Sequence, residues 1–133
     1  MMSTSPSKKV LSLLLGLAII FSLAACSASG SEAEALYEPG TYTVTTRGHN
    51  GDVTVEVEFD ETSIVAVKVV EHSESPGIGD VAIERIPQAI VEGQTLAVDT
   101  ISGATVSSNA ILTAVEEAIA QAGGDVEALK GNN

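Results

Sequence analysis

Three hydroxyls fall within four positions near the end of the stretch Asp99-Thr100-Ile101-Ser102-Gly103-Ala104-Thr105-Val106-Ser107-Ser108. The small residues Gly103 and Ala104 precede them and an apolar helical period follows, so the stretch reads as a tight turn opening a helix. A helix N-terminus leaves backbone N–H groups unpaired and carries about half a positive charge, which suits a phosphate. Gly103 and Ala104 let a ligand come close to the backbone. A plain helix start, with Ser102 or Thr105 satisfying an N–H, accounts for the same residues without any ligand. A second segment with chemical potential is Glu71-His72-Ser73-Glu74-Ser75-Pro76-Gly77-Ile78-Gly79, a loop punctuated by proline and glycine. Its His72 beside Glu74 suits either a surface pair or an acid–base dyad.

Several chemistries are excluded at once. Lys plus Arg is 6 against 18 Asp plus Glu, a net charge of −12 over 133 residues, which argues against a nucleic-acid partner. The sole cysteine, Cys26, allows no internal disulfide and no multi-cysteine metal or iron–sulfur cluster. No His, Asp and Glu spacing suggests a metal site, and no nicotinamide fingerprint occurs.

The elements that must position these residues are legible in the period of the apolar side chains. Residues 41–46 are β-branched and aromatic, a strand. The run His49-Asn50-Gly51-Asp52 contains Asn-Gly, a hairpin signal, and turns His49 toward solvent. Val53, Val55, Val57 and Phe59 alternate with polar residues, so one face of the next strand is buried. Glu56, Glu58, Asp60 and Glu61 read as a solvated face and turn. Residues 64–71 form a third strand, with Ile64, Ala66, Lys68 and Val70 on one side and Val65, Val67 and Val69 on the other. Asp80 is placed to cap a short helix through Ile86, and Pro87 to start another that ends before Gly93. Residues 96–98 are extended. From Thr105, the positions Ile111, Ala114, Val115, Ala118, Ile119 and Ala122 recur at helical spacing until Gly123-Gly124. The fold class is α+β, a small antiparallel meander packed against two or three helices.

The pattern Asp-x-x-Ser-Gly-Ala-Thr-x-x-Ser, without a gap, resembles the flavinylation motif of the FMN-binding domain family. That family includes the covalent-FMN subunits of sodium-pumping NADH:quinone oxidoreductase and the flavin domain of fumarate- and urocanate-reductase-like proteins. The resemblance implies a flavin transferase that uses FAD and a divalent metal to install FMN as a phosphoester on a threonine, here Thr105. Asp99, Ser102, Gly103 and Ala104 would be read by that transferase, with Ser108 as the trailing serine. The loop at His72 is similar to the family's segment lying against the isoalloxazine, with Ser75 where threonine is usual. It implies cofactor contacts for His72, Glu74, Ser75 and Gly77, which would pack against and hydrogen-bond the ring rather than transfer protons. Gly40-x-Tyr42, Gly51-x-Val53 and Ile86-Pro87-x-x-Ile90-Val91 extend the likeness over about residues 39–123.

The N-terminus reads as an address. Lys8-Lys9 precede sixteen mostly apolar residues, 10–25, in the layout of an export signal. Leu23-Ala24-Ala25-Cys26 resembles the bacterial lipobox, in which the cysteine thiol takes a diacylglyceryl group. The expected organisation is a signal at 1–25, a flexible tether at 26–38, the FMN-binding domain at 39–124 and a tail at 125–133. The expected function is a lipid-anchored, extracytoplasmic flavoprotein shuttling electrons from a membrane donor to an extracytoplasmic acceptor or reductase, without a substrate of its own. The alternatives are a non-redox ligand- or partner-binding lipoprotein, and a flavin-dependent reductase module working with a separate FAD subunit.

Overall fold

Valines at every second position make a strand with one dry face, and the computed structural model, which describes residues 34–131, bears this out. Strand β2 (Asp52–Phe59) buries Val53, Val55, Val57 and Phe59 almost completely. It lies between β1 (Gly40–Arg47) and β3 (Ile64–Glu71) in an antiparallel sheet of order β1-β2-β3. Strand β3 departs from the expected alternation. Phe59 pairs with Ile64 but Glu58 with Ala66, and Thr54 pairs with Glu71 but Val55 with Val69. Val65 and Val70 are therefore extra residues at two bulges, and both are exposed. Each bulge shifts the side-chain phase, so Ile64 and Val67 reach the core together.

The buried face of the sheet is covered by two helices, α1 (Gly79–Gly93) against β3 and α2 (Thr105–Gln121) against β1 and β2. The core joins the strand valines to Ile86 and Ile90 of α1 and to Ile111, Val115 and Ile119 of α2. The α+β class stands, but the expected break at Pro87 does not. Helix α1 runs through Pro87, whose missing N–H leaves the carbonyl of Ile83 without its usual helical donor. Pro87 is buried with Ile86 and Ile90, and that apolar packing offsets the lost bond. Nor does Asp80 cap the helix, since it stands inside the first turn with Ile78 at the N-cap.

Gln94 closes α1 in the left-handed conformation, φ 50°. Its side-chain amide accepts from the Ile64 N–H at 2.8 Å and donates to the carbonyls of Ile64 and Val91, each at 2.8 Å. The end of α1 is thus locked to the start of β3.

Both ends of the folded unit extend beyond the expected bounds. Tyr37, expected in the tether, is buried with its ring 4.8 Å from that of Phe59, and the Leu36 N–H bonds to the Glu61 carbonyl at 2.7 Å. The expected tail contains a short helix, α3 (Val126–Lys130), capped by Asp125 through the Ala128 N–H. The Leu129 carbonyl accepts from the Leu96 N–H at 2.8 Å, fastening α3 to the extended piece before the hydroxyl-rich turn. The export signal, Cys26 and the tether through residue 33 lie outside the described residues.

Gln94→Ala removes three hydrogen bonds while retaining a strained backbone. We expect a loss of about 1–3 kcal/mol in chemical denaturation. Gln88→Ala, on the exposed surface of the same helix, is expected to leave the midpoint nearly unchanged.

Candidate functional site

A cavity of about 380 Å³ opens between the β1–β2 hairpin, the β3–α1 loop and the starts of both long helices. It is lined by His49 from the hairpin, Glu74, Ser75, Ile78 and Gly79 from the loop and α1, and residues 103–107 from the start of α2. Its volume falls within the range of about 300–1,000 Å³ common for small-molecule sites.

The turn before α2 is built by two devices. Gly103 adopts φ +84°, a conformation that a side chain would oppose. The Ala104 N–H then bonds to the Ile101 carbonyl at 2.8 Å. Ser108, fully buried, donates to the Ala104 carbonyl at 2.7 Å and accepts from the Ile101 N–H at 3.0 Å. It belts the turn to the helix. No side chain caps α2: Ala104 is the N-cap, so the expected capping by Ser102 is not found. Thr105, the first helical residue, is exposed and lines the cavity.

Helix α1 also begins without a side-chain cap. The Ser75 carbonyl accepts from the N–H groups of Gly79 and Asp80 at 3.0 and 3.3 Å, and Ile78 and Gly79 line the cavity. Two helix N-termini therefore share one cavity, whose lining contains no lysine or arginine among the described residues. Positive field from peptide dipoles replaces ionic side chains there.

Glu74 is the buried acid of the site. Its Oε1 accepts from the Asn50 N–H at 3.1 Å, and its Oε2 accepts from the hydroxyl of the buried Ser107. Burial alone would raise its pKa. The Ser107 hydroxyl, the backbone N–H groups of Asn50 and His49, and the nearby His49 charge together outweigh burial and hold it below its ordinary value. Gly79 makes the close approach possible, because a Cβ there would stand 2.6 Å from that of Glu74. Asn50 also donates to the Ser75 hydroxyl at 2.6 Å, a second tie between hairpin and loop.

Of the residues singled out in the sequence, Thr105, Gly103, Ala104, Glu74 and Ser75 come together around the cavity. His72, Gly77, Asp99 and Ser102 are exposed and lie outside its lining, and Ser108 is interior to the turn. The His72 Nδ1 accepts from the Glu74 N–H at 3.2 Å, which shapes the loop. His49, Ile78, Gly79, Val106 and Ser107 line the cavity without having been assigned to it. The hairpin signal placed His49 at a turn, but only the long-range ties of Asn50 to Glu74 and Ser75 show which way that turn leans.

The site is thus that of a small α+β module with an exposed threonine at a helix start, whose dipole favours an anion. A family model described as the FMN-binding domain matches residues 48–120, and the chain belongs to that family. Every cavity residue lies inside the match. The chain is 52% identical over 94 residues to an NADH:acrylate oxidoreductase of Vibrio harveyi, a stretch covering 71% of this chain and 9% of that protein. It is 43% identical over 82 residues to a urocanate reductase of Eggerthella lenta, covering 62% of this chain and 14% of the relative. An uncharacterized protein of Treponema pallidum is 39% identical over 82 residues, 62% of this chain and 23% of its own length. The matched stretch spans less than a quarter of each of these relatives.

The cavity fits FMN. The start of α2, where no side chain caps the helix, can receive the phosphate, the α1 dipole adds positive field although its first N–H groups are bonded to the Ser75 carbonyl, and an apolar rim from Ile78 and Val106 can take the ring.

Because Glu74 is held below the pKa of a free carboxyl, its bonds stabilise the fold fully above about pH 4.3, the unfolded value. That contribution is lost as pH falls through the lower folded value. Glu74→Gln is expected to cost about 1–3 kcal/mol near neutral pH. In urea titrations the gap to wild type should narrow below about pH 4. A gap independent of pH would contradict the role of the ionised carboxylate.

Proposed function

We propose that the chain carries FMN as a phosphoester on the Thr105 hydroxyl and acts as an electron carrier outside the cytoplasmic membrane, held there by lipid on Cys26. The observation that carries the attachment is the exposed Thr105 hydroxyl at a helix start without a side-chain cap, in a cavity that the start of α1 also borders. The phosphodiester would place one negative charge where both dipoles favour it. In the installing step a flavin transferase supplies FAD. The Thr105 Oγ bonds to the flavin-side phosphorus, the pyrophosphate P–O bond breaks, AMP leaves and the hydroxyl proton passes to solvent.

Bound FMN supplies a link between two-electron donors and one-electron acceptors. The chain's own residues would hold it: α2 presents its first N–H groups, Ser108 fixes the turn that presents Thr105, and Glu74 keeps hairpin and helix on either side. Covalent attachment suits an exported domain, since a reversibly bound cofactor would be lost to dilution. The donor would be a membrane complex. The names of the two reductase relatives favour a separate reductase as acceptor. The acidic surface, 18 acids against Arg47, Lys68, Arg85 and Lys130 beyond the leader, would repel anionic lipid headgroups and keep the domain clear of the bilayer.

The lipobox-like Leu23-Ala24-Ala25-Cys26 generates a separate expectation. Cys26→Ser should leave the signal uncleaved or release the protein from the membrane fraction, whereas processed, membrane-bound variant would count against lipidation.

Attachment is tested with Thr105→Val, which keeps the shape and removes the nucleophile. Coexpressed with the transferase, the variant should show wild-type circular dichroism and no FMN in its intact mass. Thr105→Ser should retain a partial adduct. A full adduct on Thr105→Val would place the linkage on another hydroxyl.

A further inference from the structure

The sheet ends at β3, whose outer edge has no strand beside it among the described residues. The first position of that edge is already answered. The Gln94 side-chain amide meets both the N–H and the carbonyl of Ile64, as a peptide group of a neighbouring strand would. Beyond Ile64 the edge is open. A groove of about 480 Å³ runs along it, bounded by residues 65–70 of β3 and by Ile83, Pro87 and Val91 of α1. A strand edge beside apolar side chains is the kind of surface that an added strand covers.

The charges on this edge select the strand. In the register with β2, Lys68 lies opposite Glu56 and Val69 opposite Val55, but Thr54 is met by Glu71, so Val70 is passed over. The bulge therefore sets Lys68 and Glu71 on the same open face of the sheet, one ladder position to either side of Val69. Both are exposed, and neither makes an ion pair among the described residues. A cation and an anion equally spaced about one residue complement themselves under a two-fold rotation. Antiparallel pairing of two such edges, with Val69 opposite Val69 of the other copy, sets each Lys68 against a Glu71.

We propose that two copies of the chain pair through β3, about a two-fold axis at Val69, and join their sheets into one of six strands. The same rotation turns the α1 faces that carry Ile83, Pro87 and Val91 toward each other, so the groove closes and its apolar surface leaves water. Two copies of so acidic a chain repel over most of their surfaces. At β3 each copy offers the cation that the other's acid lacks, which fixes both the place and the register of the contact. The pairing needs no cofactor and stands apart from the FMN reading.

The test is the mass of the full chain by native mass spectrometry from detergent, with micelles in large excess so that two chains rarely share one. Wild type should be a dimer at about 100 µM, a concentration that fills even a weak contact. Lys68→Glu makes the chain more acidic and Glu71→Lys less so. Each should nonetheless raise the dissociation constant by about tenfold or more, because the contact occurs twice in the dimer. The double variant Lys68→Glu/Glu71→Lys exchanges the two charges and should restore the dimer. Arg85→Glu alters the net charge as Lys68→Glu does but lies outside the groove lining, and should leave the dimer in place. Circular dichroism checks that every variant keeps the fold. A wild-type monomer, single variants that dimerise as wild type does, or a double variant that stays monomeric would each overturn the pairing.

Discussion

A carboxylate out of water is costly unless its oxygens are hydrogen-bonded, and both oxygens of Glu74 find donors only if three distant segments come together. Asn50 approaches from the β1–β2 hairpin and Ser107 from the first turn of α2, while Glu74 itself stands in the loop between β3 and α1. The acid therefore acts as a clasp: its need for donors holds the hairpin to one wall of the cavity and the helix start to another. Gly79 admits the clasp at close range, and the hydrogen bond that the Asn50 side-chain amide donates to the Ser75 hydroxyl reinforces it. Removing one partner would leave one buried carboxylate oxygen short of a donor, so each wall of the clasp depends on the other.

Placing that charge beside a cavity proposed to hold a phosphate has an electrostatic consequence. The lining has no lysine or arginine to offset both the carboxylate and the phosphodiester proposed there. The Glu74 charge is answered by its own donors, which would leave the N-terminus of α2, aided by the α1 dipole, to answer the proposed phosphodiester. Fixed dipoles need no flexible side chain to be ordered, and they suit a domain whose surface is otherwise strongly acidic. The hydrophobic core beneath is built largely of valine, isoleucine and alanine, so rigidity at the site comes from backbone turns and buried hydroxyls such as Ser108 rather than from bulk.

Much of the fold could be read from period alone, because Val53, Val55, Val57 and Phe59 admit one burial pattern and the Ile111 to Ala122 series another. Strand β3 was legible as a strand but not in its facing. Bulges at Val65 and Val70 are set by pairing with β2, which a valine-rich run does not encode. Pro87 misled for a related reason: proline's local rule predicts a break, and burial against the sheet overrode it. At the site, the hydroxyl-rich turn announced Thr105, Gly103 and Ala104, since their spacing is local. His49, Ile78 and Ser107 belong to the cavity through contacts spanning dozens of residues. A hairpin histidine, an exposed isoleucine and one serine among several carry no signal of their own until the clasp at Glu74 is seen.

The central claim is that the Thr105 hydroxyl bears FMN. The most direct measurement is fragmentation mass spectrometry of the tryptic peptide 86–130, taken from wild-type protein made with its flavin transferase. That peptide holds Thr105 together with Ser102, Ser107 and Ser108 as competing hydroxyls. The account predicts a peptide heavier by FMN less one water, with the added mass appearing in every fragment that contains Thr105 and in none that lacks it. An unmodified peptide, or an added mass that stays with Ser102, Ser107 or Ser108, would contradict it.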